Sequence, residues 1–289
     1  MALKFDNIAS NLIPGAQAVG KYLSHELGVT KIKSEQAIDD NIMWVPTISG
    51  IQTDHHLVYV DVTDAGLSFA MSRYLATLMQ AGLPALIYVA VPDSASDAKI
   101  KTYVEAASLG LGILQVSANN RVKRLRRANS TSLLALRPVN PKEHRAKYRQ
   151  ALADAQETFL NGDPVGGCQR VHQEVEALSR IVCKATFDKG LWSSNQTANV
   201  NWDTGAWKRI LTLTTKSLDT TEARKLYPGF NDSVLYTVAG LPDRRNSESH
   251  KPKTKGALMK RDRLCRTAFE SAVDTFAELQ ETAKSLKLR

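Results

Sequence analysis

A run of seven residues after Pro84, Ala85-Leu86-Ile87-Tyr88-Val89-Ala90-Val91, constrains this chain more than any other feature. A strand that is apolar at every position has both faces buried, whereas a strand with one wet face alternates. Such a strand needs covering layers on both sides, and the neighbouring sequence supplies them. Val19, Tyr22, Leu23 and Leu27 recur at helical spacing near 15–28, as do Leu67, Met71, Tyr74, Leu75 and Leu78, and again Ile100, Tyr103, Val104 and Ala107. An apolar run from Ile42 to Ile48 precedes a β-rich stretch, Leu57–Val62, and Gly112–Val116 reads as a further strand. Helices alternating with buried strands predict an α/β sandwich with at least partly parallel pairing.

The charge divides the chain in two. Lys and Arg total 38 against 29 Asp and Glu, a formal net charge of +9. Residues 1–120 hold 7 of the basic and 11 of the acidic side chains, a net −4, and residues 121–289 hold 31 and 18, a net +13. A polyanion partner would therefore meet the second part. At the junction, Arg121, Lys123, Arg124, Arg126 and Arg127 fall within seven residues. The cluster reads either as a solvated basic linker or as a strip that contacts nucleic acid phosphates. Pro138 and Pro141 then break the chain before the next helix. The expected division is 1–118, 119–142 as linker, and 143–289.

Several classes are not expected. No run of about 18 apolar residues is present, and the first residues lack the pattern of a secretory signal. Cys168, Cys183 and Cys265 are odd in number and far apart, which fits neither a disulfide framework nor a zinc site. No G-x-G-x-x-G or P-loop follows an expected strand. A cytoplasmic protein without membrane contact is the expectation.

The second module is helical. Tyr148, Leu152, Ala155 and Phe159 keep one face; so do Val171, Val175, Leu178, Val182 and Ala185. Cys265, Phe269, Ala272, Phe276, Leu279, Ala283 and Leu286 do the same near the C-terminus. Two shorter helices are expected over 203–218 and 230–241. Stripes of this kind bury one face each in a bundle. Trp192, Trp202 and Trp207 flank a polar loop and read as packing anchors, and His172 as a packing histidine.

The order of elements over roughly 10–118, with the strand IQTDHHLVYVDVT, resembles the core of the PD-(D/E)xK restriction-endonuclease-like superfamily. That resemblance implies two carboxylates on a divalent metal and a lysine beside the attacking water. Asp54 and Asp61 would stand for the acids, but the lysine position is Thr63, which carries no charge. The expected module is therefore a degenerate nuclease fold used for binding or dimerisation. His55 and His56 are adjacent, so on a strand they point to opposite faces and would not share a metal.

Between the last two expected helices lies Leu241-Pro242-Asp243-Arg244-Arg245-Asn246-Ser247-Glu248-Ser249-His250-Lys251-Pro252. Arg245 and His250, with four residues between them and Asn246 directly after the arginine, resemble the R-x(4–6)-H motif of HEPN domains, over about 143–287. The resemblance implies a homodimeric, metal-independent ribonuclease that uses the RNA's own 2′-hydroxyl. The residue types suit that chemistry. Histidine exchanges protons near neutral pH, and arginine grips phosphate oxygens as charge builds on them. Arg244 gives a five-residue spacing and competes for the arginine role.

The sequence thus predicts an α/β restriction-endonuclease-like sandwich plus an all-α HEPN-like bundle. Arg245, His250 and Asn246 are the expected catalytic residues. Arg121, Lys123, Arg124, Arg126, Arg127, Arg244 and Lys251 are the expected nucleic-acid contacts. The expected function is that of an endoribonuclease effector of a prokaryotic defence or toxin system, with RNA as partner, a homodimer as assembly and no cofactor. Two alternatives stand beside it. One is a non-catalytic nucleic-acid-binding or assembly subunit of a defence complex. The other is a DNA nuclease needing a divalent metal on Asp54 and Asp61.

Overall fold

The computed structural model describes residues 3–38, 44–93, 97–190 and 252–288. Six strands form one mixed sheet whose spatial order is the chain order: β1 Val29–Ser34, β2 Ile48–Gln52, β3 Leu57–Val62, β4 Ala85–Pro92, β5 Gly112–Val116 and β6 Val122–Arg126. β1, β2 and β3 run as an antiparallel meander, β3, β4 and β5 are mutually parallel, and β6 turns back antiparallel on β5. Parallel neighbours need crossover connections. Helix α2, Phe69–Ala81, joins β3 to β4, and α3, Asp97–Ser108, joins β4 to β5.

The seven-residue apolar run lies in the middle of this sheet, and every one of its residues is buried. Its even and odd positions enter two separate cores. Leu86, Tyr88 and Ala90 pack with Val58, Val60, Leu114 and Val116 against Ala16, Val19 and Leu23 of α1, Ile13–Glu26. Ala85, Ile87, Val89 and Val91 pack with Tyr59 and Ile113 against Met71, Tyr74, Leu75 and Leu78 of α2. Residue 112 is glycine for a spatial reason. A Cβ there would stand 2.2 Å from the Tyr88 ring.

β6 was not expected as a strand. The first part of the stretch read as a linker belongs to the sheet, and a short helix α4, Thr131–Leu134, follows it. Thr131 Oγ1 ties α4 to the sheet by donating to the Leu83 carbonyl and accepting from Ala85 N at 3.0 Å. One compact unit comprises Met1–Ala135, Leu160–Gly162 and Lys251–Arg263.

The second unit comprises Leu136–Phe159, Asp163–His250 and Leu264–Arg289. Three helices are described: α5 Ala146–Leu160, α6 Pro164–Asp188 and α7 Lys255–Ser285, the last contributing its first turns to the sheet unit. Asp163 caps α6 by accepting from Gly166 N at 2.9 Å, and Pro164 occupies the first turn, where its missing N–H costs nothing. The expected stripes form the core. Phe159 stacks edge-on to Phe269 at 5.1 Å, Tyr148 to Phe276 at 4.9 Å, and Cys168 Sγ donates to the Cys265 carbonyl at 3.1 Å. All three cysteines are buried, and none is in a disulfide. The helices expected over 203–218 and 230–241, and the three tryptophans, lie outside the described residues. No described helix is long and apolar enough to cross a membrane.

Candidate nucleic-acid interface

The basic cluster is held by backbone pairing. β6 runs with Val116 opposite Val122, Gln115 opposite Lys123 and Leu114 opposite Arg124. Val122 packs against the α1-side core, while Arg121, Lys123, Arg124 and Arg127 are exposed and Arg126 is half-buried. β6 is the last strand in the sheet order, so a row of cations lies along the sheet's edge. Charged side chains on an edge strand also discourage pairing with another chain, which gives the row a use that needs no ligand. Arg124 and Arg127 stand beside the Tyr88 phenol. Burial pushes the Tyr88 pKa up, and the two guanidiniums act against that rise.

The β2–β3 turn carries Asp54. His55 N donates to the Gln52 carbonyl at 2.9 Å, Gln52 N donates to the His56 carbonyl at 2.8 Å, and His55 takes a left-handed φ of 74°. Asp54 Oδ1 accepts from His56 N at 3.3 Å and meets His56 Nδ1 at 2.9 Å. Partial burial pulls the Asp54 carboxyl upward, but the bonds and charge of His56, with the charge of Arg127, outweigh it and hold the pKa below 3.8.

Asp61 has a different environment at the far end of β3. The rise from Leu57 to Asp61 alone is about 13 Å at ordinary strand geometry, so the two carboxylates do not converge. Asp61 Oδ2 accepts from Trp44 Nε1 at 2.9 Å, and Oδ1 accepts from Thr47 N at 3.4 Å. Burial raises its pKa above 3.8, with the bonds from Trp44 and Thr47 opposing. Thr63, at the position a lysine would hold, caps the strand end: its hydroxyl accepts from Ala65 N at 3.1 Å and donates to the Gly66 carbonyl at 3.3 Å. Among the described residues no three His, Cys, Asp or Glu side chains gather for a metal.

Asp54 and Arg127 are brought together instead. With His56, Ser130 and Arg261 they line a cavity of about 490 Å³ within the sheet unit. Of these, the sequence marks Arg127 as a phosphate contact, and Asp54 as a metal ligand only under the DNA-nuclease alternative. Arg261 is one of many basic residues around the start of the last helix, and nothing in its spacing distinguishes it. Arg244, Arg245, Asn246, His250 and Lys251 lie outside the described residues. Comparison of the chain with family models, with curated proteins and with solved structures finds no match.

Proposed function

We propose that this chain is a metal-independent endoribonuclease of the HEPN type, an effector of a prokaryotic defence or toxin system, whose sheet unit holds nucleic acid without cutting it. The observation that carries the reading is the sequence Arg245-Asn246-x-x-x-His250 between two capped or striped helices, α5 and α6, and the 31-residue α7. In this reading His250 takes the proton from the 2′-hydroxyl or delivers one to the leaving 5′-oxygen, Arg245 binds the phosphorane oxygens, and Asn246 orients either partner. One such motif makes half of a site, so the working form is a homodimer. The Trp44 and Thr47 bonds to Asp61, and the uncharged Thr63, support a sheet unit that does not hydrolyse DNA.

A second reading, binding or assembly without cleavage, is favoured by one specific observation, the cationic edge strand β6. Incubating the purified protein with labelled RNA and DNA, with and without EDTA, separates these readings. RNA cleavage that survives EDTA and disappears in His250→Ala supports the ribonuclease. Binding without cleavage of either polymer supports the second reading. DNA cleavage that needs magnesium and Asp61 overturns both.

A further inference from the structure

The cavity beside the β2–β3 turn has the donors and the size for a small anionic ligand. Its volume of about 490 Å³ falls in the usual range for small-molecule sites, about 300–1,000 Å³. Its lining comes from six separate stretches of the sheet unit: the β2–β3 turn, Leu86 of β4, the two residues after β6, α4 with its N-cap Ser130, Gly162, and the start of α7.

Two guanidiniums enter this lining with unspent donors. Arg127 makes no hydrogen bond or ion pair among the described residues. It lies against Gly162, whose φ is +96° and where a Cβ would stand 3.4 Å from Arg127 Nη2. Arg261 spends Nε and Nη2 on Asp262 Oδ1, at 3.2 and 2.9 Å. Asp262 is fixed from behind by Ser132 Oγ at 2.6 Å, and Ser132 in turn by Ser130 Oγ at 2.9 Å. The Arg261 fork is therefore held in place, while its Nη1 makes no hydrogen bond among the described residues. A fixed guanidinium with a free edge suits a phosphate. Asp54 is the carboxylate in the lining, and its Oδ1 is already taken by His56. Leu86, Leu133 and Leu258 supply an apolar wall.

We propose that this cavity binds the terminal phosphate of a nucleotide, with Arg127 and Arg261 on the phosphate and the nucleoside against the leucine wall. A phosphomonoester carries up to two charges and so matches two guanidiniums better than the single charge of an internal diester. Arg127 directly follows Arg126, so the cationic strand ends at the cavity. The nucleotide arrives either as the end of a strand lying along β6 or as a free nucleoside monophosphate. The strand-end source rests on the proposed RNA-holding role of the sheet unit, and the free nucleotide does not.

Binding of the full chain to 2′-O-methyl RNA, which cannot be cut through its 2′-oxygen, tests this. The probes carry a 5′-phosphate, a 3′-phosphate or neither, and AMP is the competitor. The proposal expects at least one phosphorylated end to bind about tenfold tighter than the bare strand, the size of one charge-assisted contact. AMP removes that preference, and Arg127→Ala abolishes it. Lys123→Ala weakens all strands alike and keeps it. AMP binding that Arg127→Ala removes, with no strand bound at all, supports the cavity with a free nucleotide as ligand and refutes the RNA-holding role. Equal binding of phosphorylated and bare strands, with no AMP binding, overturns the proposal.

Discussion

Asp61 carries a carboxyl into the interior and meets two donors there, the Trp44 indole and the Thr47 backbone. Removing an acceptor from buried donors leaves their desolvation uncompensated. Asp61→Ala is expected to lower unfolding free energy by about 1–3 kcal/mol in urea titration, while EDTA-resistant RNA cleavage stays intact. His144 shows the opposite kind of burial. It is 3% exposed, and its Nδ1 meets Gln280 Nε2 at 2.9 Å. Burial disfavours the imidazolium, and the charge of Glu143 only partly offsets this, so the folded pKa lies below 6.5. As pH falls, the unfolded chain takes the proton first, so this contribution to stability is complete above about pH 6.5 and declines below it. Urea midpoints at pH 8 and pH 5.5 should therefore differ less in His144→Gln than in the parent chain.

At the scale of elements, the close approach of α5 and α6 gives a test with an inverted sign. Replacing a mid-helix glycine by alanine ordinarily stabilises by about 0.5–1 kcal/mol. At Gly167 the new Cβ would stand 2.6 Å from Phe159 Cβ and 2.9 Å from the Ala155 carbonyl. Overpacking of this kind costs about 1–3 kcal/mol, so Gly167→Ala should lower the melting temperature; a rise would contradict this packing. The buried elements were legible in the sequence because apolar period encodes burial. β4, α1 and the stripes of α5, α6 and α7 all follow from it. β1 and β6 did not, since an edge strand buries little and both carry lysines or arginines between their apolar residues, VTKIKS and VKRLR. Lys123→Glu and Arg124→Glu on β6 should each weaken RNA binding and flatten its dependence on salt by about one unit of slope, and Lys123→Glu should leave stability unchanged, because its side chain is exposed.

For the whole molecule, the +9 charge resolves into an acidic first part and a basic second part, and β6 is the sheet strand that falls in the basic part. That Asp54 and Arg127 line one cavity was not legible in the sequence. It arises because the β2–β3 turn and the end of β6 come together in the fold, 73 residues apart in the chain. The proposed role of Arg245 and His250 rests on their spacing in the sequence, and both lie outside the described residues. Its dimeric requirement is open to sedimentation, where an active, strictly monomeric enzyme would contradict the half-site. The central claim concerns which oxygen attacks the phosphate. Attack by the RNA's own 2′-oxygen displaces the 5′-oxygen and leaves a 2′,3′-cyclic phosphate and a 5′-hydroxyl. Metal-activated water acting in the sheet unit would leave a 3′-hydroxyl and a 5′-phosphate. End-group analysis of RNA cut in EDTA should find the cyclic phosphate, and none in His250→Ala. Products bearing 5′-phosphate, formed only with magnesium and lost in Asp61→Ala, would contradict the account.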